Sequence, residues 1–131
     1  MKNGAIFISV ILNQVLGFFW YSDFLFSEIW LKGIGKTADQ LDQSNPVPFV
    51  FAIVGAFVLG YGMNWVFKHF HVKTHLEGIK VSTILWLCFC AFSLAIHYKF
   101  IGYSVSLIAL ESAKELASFY VVSLMLTTKY V

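Results

Sequence analysis

The chain has 131 residues, of which 59% are hydrophobic and 12% charged, against roughly 45–50% and about 25% in an average soluble domain, and its mean hydropathy is +0.76. That balance argues against a water-soluble globule, and the 18% aromatic content argues against intrinsic disorder. The net charge of +2 comes from nine lysines and no arginine, so no basic stripe is present to track a phosphate backbone and no nucleic-acid partner is expected.

The length suits one domain over residues 1–131, with four apolar runs near the ~20 residues needed to cross a bilayer core. The first, residues 4–22, follows Lys2 and imitates a secretory signal. It extends to Tyr21 with no small-residue cleavage pattern after it, and reads as a retained first span. Next, Phe26, Ile29, Trp30 and Ile34 fall on one side of a helix with Glu28 and Lys32 away from them, which predicts a short interfacial helix. Residues 36–48 are polar, contain Pro46 and Pro48, and read as the longest extramembrane loop. The second span, residues 48–67, carries Ala52, Ala56, Gly60 and Asn64 at every fourth position, a packing surface for a neighbouring helix or a second copy.

After it comes KHFHVKTHLEG. His69, His71 and His75 are weak candidates for a metal such as zinc, with His71 and His75 at i, i+4 if the segment is helical. The alternative is solvated, pH-responsive positive charge near lipid headgroups. The third span, residues 78–98, places Thr83, Trp86, Cys90, Ser93 and His97 in a polar-tinged stripe. Cys88 and Cys90 point about 200° apart on a helix, so they do not pair and read as small hydrophobes. Trp20, Tyr21, Trp30, Trp65 and Tyr98 fall near span ends, where aromatic anchors collect.

The fourth span, residues 104–128, is interrupted by Glu111, Lys114 and Glu115, which share a sector about 100° wide. Each such charge costs roughly 2.5–3.5 kcal/mol at the centre of an inserted helix, so exposure to lipid is excluded. Counting from residue 104 at 1.5 Å per residue, Glu111 lies ~10 Å and Glu115 ~16 Å deep. Asn13 and Gln14 reach the same level from the other side and are expected to partner the carboxylates, with His97 as a further contributor. The deeper Glu115 is expected to be the carboxylate that carries a proton. Two readings stay open: a hydrated cavity or proton relay, and a dry polar clasp that fixes helix packing or a partner interface.

Lysines set the orientation. With an even number of spans both termini share a side, which collects Lys2, Lys68, Lys73, Lys80 and Lys129, against Lys32, Lys36 and Lys99 on the other. The expectation is an inner-membrane, multi-pass protein with cytoplasmic termini.

The run GFFWYSDFLFSEIWLKGIGKTADQL resembles the signature of a bacterial four-span family, domain of unknown function 1761. The matching positions are Gly17, Trp20, Tyr21, Phe26, Trp30, Gly35 and Thr37, with Gly78, Trp86 and Phe89 fitting in the third span. The chain departs from that pattern in the fourth span, where three charges stand in place of an Ile-Asn-like polar spot. The resemblance implies the architecture and supplies no mechanism.

The sequence reading is therefore an all-α, integral membrane four-helix bundle with a short interfacial helix after the first span. No nucleophile triad, phosphate loop or His-Glu-x-x-His motif occurs, and neither an enzyme nor a cofactor is expected. Two functions remain: a small oligomeric transporter or channel-like protein passing a small solute, cation or proton, and a non-transporting structural or accessory membrane protein whose polar cluster fixes helix packing or a partner interface.

Overall fold

A backbone with no water to bond satisfies its N–H and C=O groups within its own segment, and each long apolar run of this chain accordingly forms a helix. The structure is a computed structural model that describes residues 2–42 and 44–128, and among these there are helices and no strand. The elements are α1 (Asn3–Trp20), α2 (Ser27–Ile34), a 3-10 turn (Ala38–Gln40), α3 (Val47–His69), α4 (His75–Trp86), α5 (Phe92–Ile101) and α6 (Val105–Leu126). A π turn, Leu87–Ala91, joins α4 to α5, so that His75–Ile101 is one rod of 27 residues. Lys129, counted above on the terminus side, lies outside the described residues.

Asn3–Trp20, Val47–His69 and His75–Ile101 are long and apolar enough to cross a membrane, which is compatible with a membrane location. Their outward faces are apolar: Phe18, Phe51, Phe89 and Phe100 are between 73% and 89% exposed. Serines and asparagines lie inside instead, with Ser9, Ser82 and Ser123 fully enclosed. This is the reverse of the distribution water selects.

Three helices end in the same hydrogen-bonded cap, in which a residue with positive φ turns the chain. Gly35 (φ 71°) closes α2 and Gly102 (φ 99°) closes α5. At the end of α3 the position is held by His71 (φ 55°), with His71 N–H donating to Lys68 O and Val72 N–H to Phe67 O. That turn separates the histidines. His71 and His75 do not share a helix, because α4 starts only at His75, after the Thr74 hydroxyl accepts from the Glu77 amide at 3.2 Å.

The four long rods are organised around α6, which packs against every other helix. The apolar core joins Ala5 and Ile6 of α1, Met63 and Phe67 of α3, and Phe119, Val122 and Leu126 of α6. Small residues let backbones approach there. A Cβ at Gly60 would lie 2.8 Å from Ile6 Cγ2, and one at Gly78 would lie 2.5 Å from Ser123 Oγ. The helix α2 packs on α6, where a Cβ at Gly33 would lie 2.9 Å from Leu107 Cδ1. Its covered face is Ser27, Trp30, Leu31 and Ile34, whereas Ile29 is exposed. Of the apolar side read from the sequence, Trp30 and Ile34 are partly covered and Ile29 is turned outward.

A left-handed backbone costs a residue with a Cβ roughly 1–2 kcal/mol. His71→Gly is therefore expected to stabilise the protein by about 1 kcal/mol, read as a higher thermal midpoint in detergent.

Candidate functional site

The charges of α6 fall in a window of their own. Leu107 and Leu110 are buried under α2, and Ser118, Phe119, Val122, Ser123 and Leu126 are buried at the other end. Between them, from Glu111 through Ala117, no residue is buried. The flanking helices explain this. On α3 the buried positions begin only at Ala56, and on the His75–Ile101 rod they end at Ser82. Both therefore enclose α6 tightly near the turn that joins them, residues 70–74, and leave its middle half-open.

Antiparallel to α6 runs α1. At one end Lys2 Nζ donates to Leu126 O at 2.7 Å and Thr128 O at 3.1 Å, an ammonium set on the negative end of the α6 dipole. At the other, the Tyr21 hydroxyl donates to Glu111 Oε1 at 2.8 Å. Between them Gly17 faces Lys114, whose Cε would lie 3.9 Å from a Cβ there. Lys114 Nζ is 3.9 Å from Glu115 Oε1, with the side chains 21% and 39% exposed. From the far flank, Trp86 Nε1–H donates to Ser112 O at 2.9 Å and Thr83 Oγ1 lies 2.8 Å from the Tyr120 hydroxyl. The result is a half-enclosed pair of carboxylates with one ammonium, lined by phenol and indole groups. Such a site can hold a cation or exchange a proton.

Several sequence expectations land elsewhere. Asn13 and Gln14 do not bond the carboxylates. Adjacent helix positions point about 100° apart, so Asn13 turns to the seam with α6 and Gln14 to α3, where its Nε2–H donates to Ala52 O at 3.5 Å. His97 is exposed on α5 and bonds neither carboxylate. Of the two acids, Glu111 is the one that accepts a hydrogen bond from another helix, and Glu115 the one beside Lys114. On α3, Ala56, Gly60 and Asn64 are buried within the chain, and Ala52 is exposed.

No group of three metal-capable side chains forms among the described residues. His75 Nδ1 lies 2.6 Å from Thr127 Oγ1, His69 stacks on Trp65 at 5.1 Å, and His71 is the helix cap described above. Sequence reasoning had assigned Tyr21 only to anchoring. The signal it missed is the repeat Asn13, Gly17, Tyr21, which puts a polar, a small and a polar residue on one face of α1.

Removing the Tyr21 hydroxyl takes one hydrogen bond from the half-buried Glu111, a net loss of about 1.5 kcal/mol where water can reach the carboxylate. Tyr21→Phe is expected to lower stability by that amount in a detergent melt. Glu111→Gln keeps an oxygen for Tyr21 to bond, and is expected to fall by no more than ~1 kcal/mol.

No curated protein and no solved structure matches the chain. A family model described as protein of unknown function (DUF1761) matches residues 4–127. Since that match spans nearly the whole chain, the protein belongs to the DUF1761 family.

Proposed function

We propose that the protein is a small, four-span transport-type membrane protein whose binding site is the charged turn Glu111–Lys114–Glu115. On this reading α6 is the fourth span, the two termini lie on the cytoplasmic side of an inner membrane, and the working unit is a homo-oligomer, since four spans are few for a complete pathway. The chain binds and moves a small solute, cation or proton, and catalyses no covalent chemistry. What supports this is the coincidence of two patterns on one helix. The stretch of α6 with no buried residue is the stretch that carries the charges. Charge in hydrocarbon is costly, so a half-open acidic turn at mid-helix calls for water or a ligand against it.

The second reading, a clasp that only holds helices together, has its own support in the Tyr21–Glu111 hydrogen bond and the Lys114–Glu115 pair. The two differ in whether anything crosses the bilayer. In proteoliposomes tested against a panel of small ions, the transport reading expects uptake of at least one ion that falls more than tenfold in Glu115→Gln, with the melting temperature nearly unchanged. Equal uptake by the variant, or no uptake of any ion by the wild type, leaves the clasp.

A further inference from the structure

A second concentration of charge lies at the end of the molecule where α3 turns into α4. Lys68 and His69 close α3, His71 and Lys73 stand in the turn, and His75 and Lys80 lie at the start of α4; all are exposed. The one acid of this stretch is Glu77, and its carboxylate is taken up by the backbone, with Oε2 accepting from Lys73 N–H at 2.9 Å and from Thr74 N–H at 3.3 Å. Among the described residues the ion pair is Lys114 with Glu115, so the ammonium groups of Lys68, Lys73 and Lys80 have no carboxylate partner there. Lys2 differs, because its Nζ is engaged by the carbonyls that end α6. At the opposite end of the rods the balance is reversed, and Asp23, Glu28, Asp39 and Asp42 outnumber Lys32, Lys36 and Lys99.

The same stretch exposes large apolar side chains. Trp65 is 62% exposed, Phe70 67% and Leu76 65%. The His69 ring stacks on Trp65 at 5.1 Å and meets Phe70 edge-on at 5.8 Å. Unpaired cations set between exposed rings suit the headgroup layer of a bilayer, which offers hydrocarbon to the ring and phosphate to the ammonium. A soluble acidic partner would answer the lysines and leave the rings without a reason. The backbone adds a separate sign. The turn needs a positive φ, which glycine supplies at Gly35 and Gly102, yet at position 71 an exposed imidazole is kept in that conformation, with φ 55°. A strained residue that glycine would relieve, held in an exposed turn, points to a use for its side chain.

We propose that the α3–α4 turn is a binding surface for anionic phospholipid, with the lipid phosphate held by Lys68 and Lys73 and by the imidazole of His71. Trp65, one turn further into the bilayer, lies against the acyl chains. Charge favours a phospholipid over a second copy of this chain. Two copies inserted in the same direction and joined at this face would set Lys68 and His69 beside their counterparts, which is repulsive, whereas a phosphate neutralises them. The surface is separate from Glu111, Lys114 and Glu115, and serves whether or not a solute crosses the bilayer.

The test uses the full-length protein in a neutral detergent with phosphatidylglycerol or phosphatidylcholine of identical chains added, read as lipid adducts by native mass spectrometry and as the thermal midpoint. Each lysine near an anionic surface is worth about fivefold in affinity, so wild type is expected to prefer phosphatidylglycerol by about 25-fold and to melt higher with it. The double variant Lys68→Gln, Lys73→Gln is expected to lose that preference with its lipid-free melt unchanged, since neither ammonium has a carboxylate partner to lose. Lys32→Gln with Lys36→Gln, at the other end, is expected to keep it. His71→Gly is expected to melt higher without lipid and yet to hold phosphatidylglycerol several-fold more weakly, a split that a purely structural cap does not give. Equal binding of the two lipids by wild type, or an undiminished preference in the folded Lys68→Gln, Lys73→Gln protein, overturns the proposal. An equal rise in melting with inorganic phosphate alone also overturns it, by making the surface a soluble-anion site. So does a dimer that Trp65→Ala abolishes without loss of lipid adducts, which assigns the face to a second copy.

Discussion

A helix of 22 residues with two carboxylates and an ammonium near its middle cannot face hydrocarbon, and the arrangement of the other helices answers to that constraint. The most polar rod is the hub, touched by every other helix, while the most apolar ones take the outside. The fold-back of α2 follows from the same need. It covers Leu107 at the start of α6 through the close approach of Gly33, and its Trp30 ring packs against Tyr21 at 4.9 Å, holding the phenol that reaches Glu111. A surface helix thereby becomes part of the support of the acidic site.

The two ends of the molecule are built differently. Near the termini the packing is close and tied: Lys2 to the carbonyl end of α6, His75 to Thr127, and Gly78 against Ser123. Toward the other end α3 and α5 contribute no buried residue before Ala56 or after Ser82. The π turn at Leu87–Ala91 sits where the third rod passes the charged window. Such turns change a helix face by one residue and recur at functional sites. Here the turn divides α4, which holds the buried Gly78 and Ser82, from the bare α5.

Much of the architecture was legible because it depends on run lengths and helix stops. Hydrophobic stretches and the polar segment that contains Pro46 and Pro48 place the rods within a few residues of where they are. The charged turn was equally plain, since Glu111, Lys114 and Glu115 stand against an apolar background. The partners of that turn were not legible, because they depend on which face each helix presents. Asn13 and Gln14 looked equivalent at one depth, yet 100° of rotation sends one to α6 and the other to α3. Tyr21 in place of an amide has the same origin.

The central claim is that the unburied stretch of α6 faces water. Cys90 is half-buried and one turn along the third rod from Trp86, whose indole bonds Ser112 O within that stretch, and it reports on the stretch directly. In a Cys88→Ser background, intact membrane vesicles of each orientation can be treated with a membrane-impermeant thiol reagent and the modified fraction measured by mass. A water-filled opening predicts modification of Cys90 from the side opposite the termini, and protection from the side of the termini. Protection from both sides, with full modification once the protein is denatured, would show the window to be dry and contradict the account.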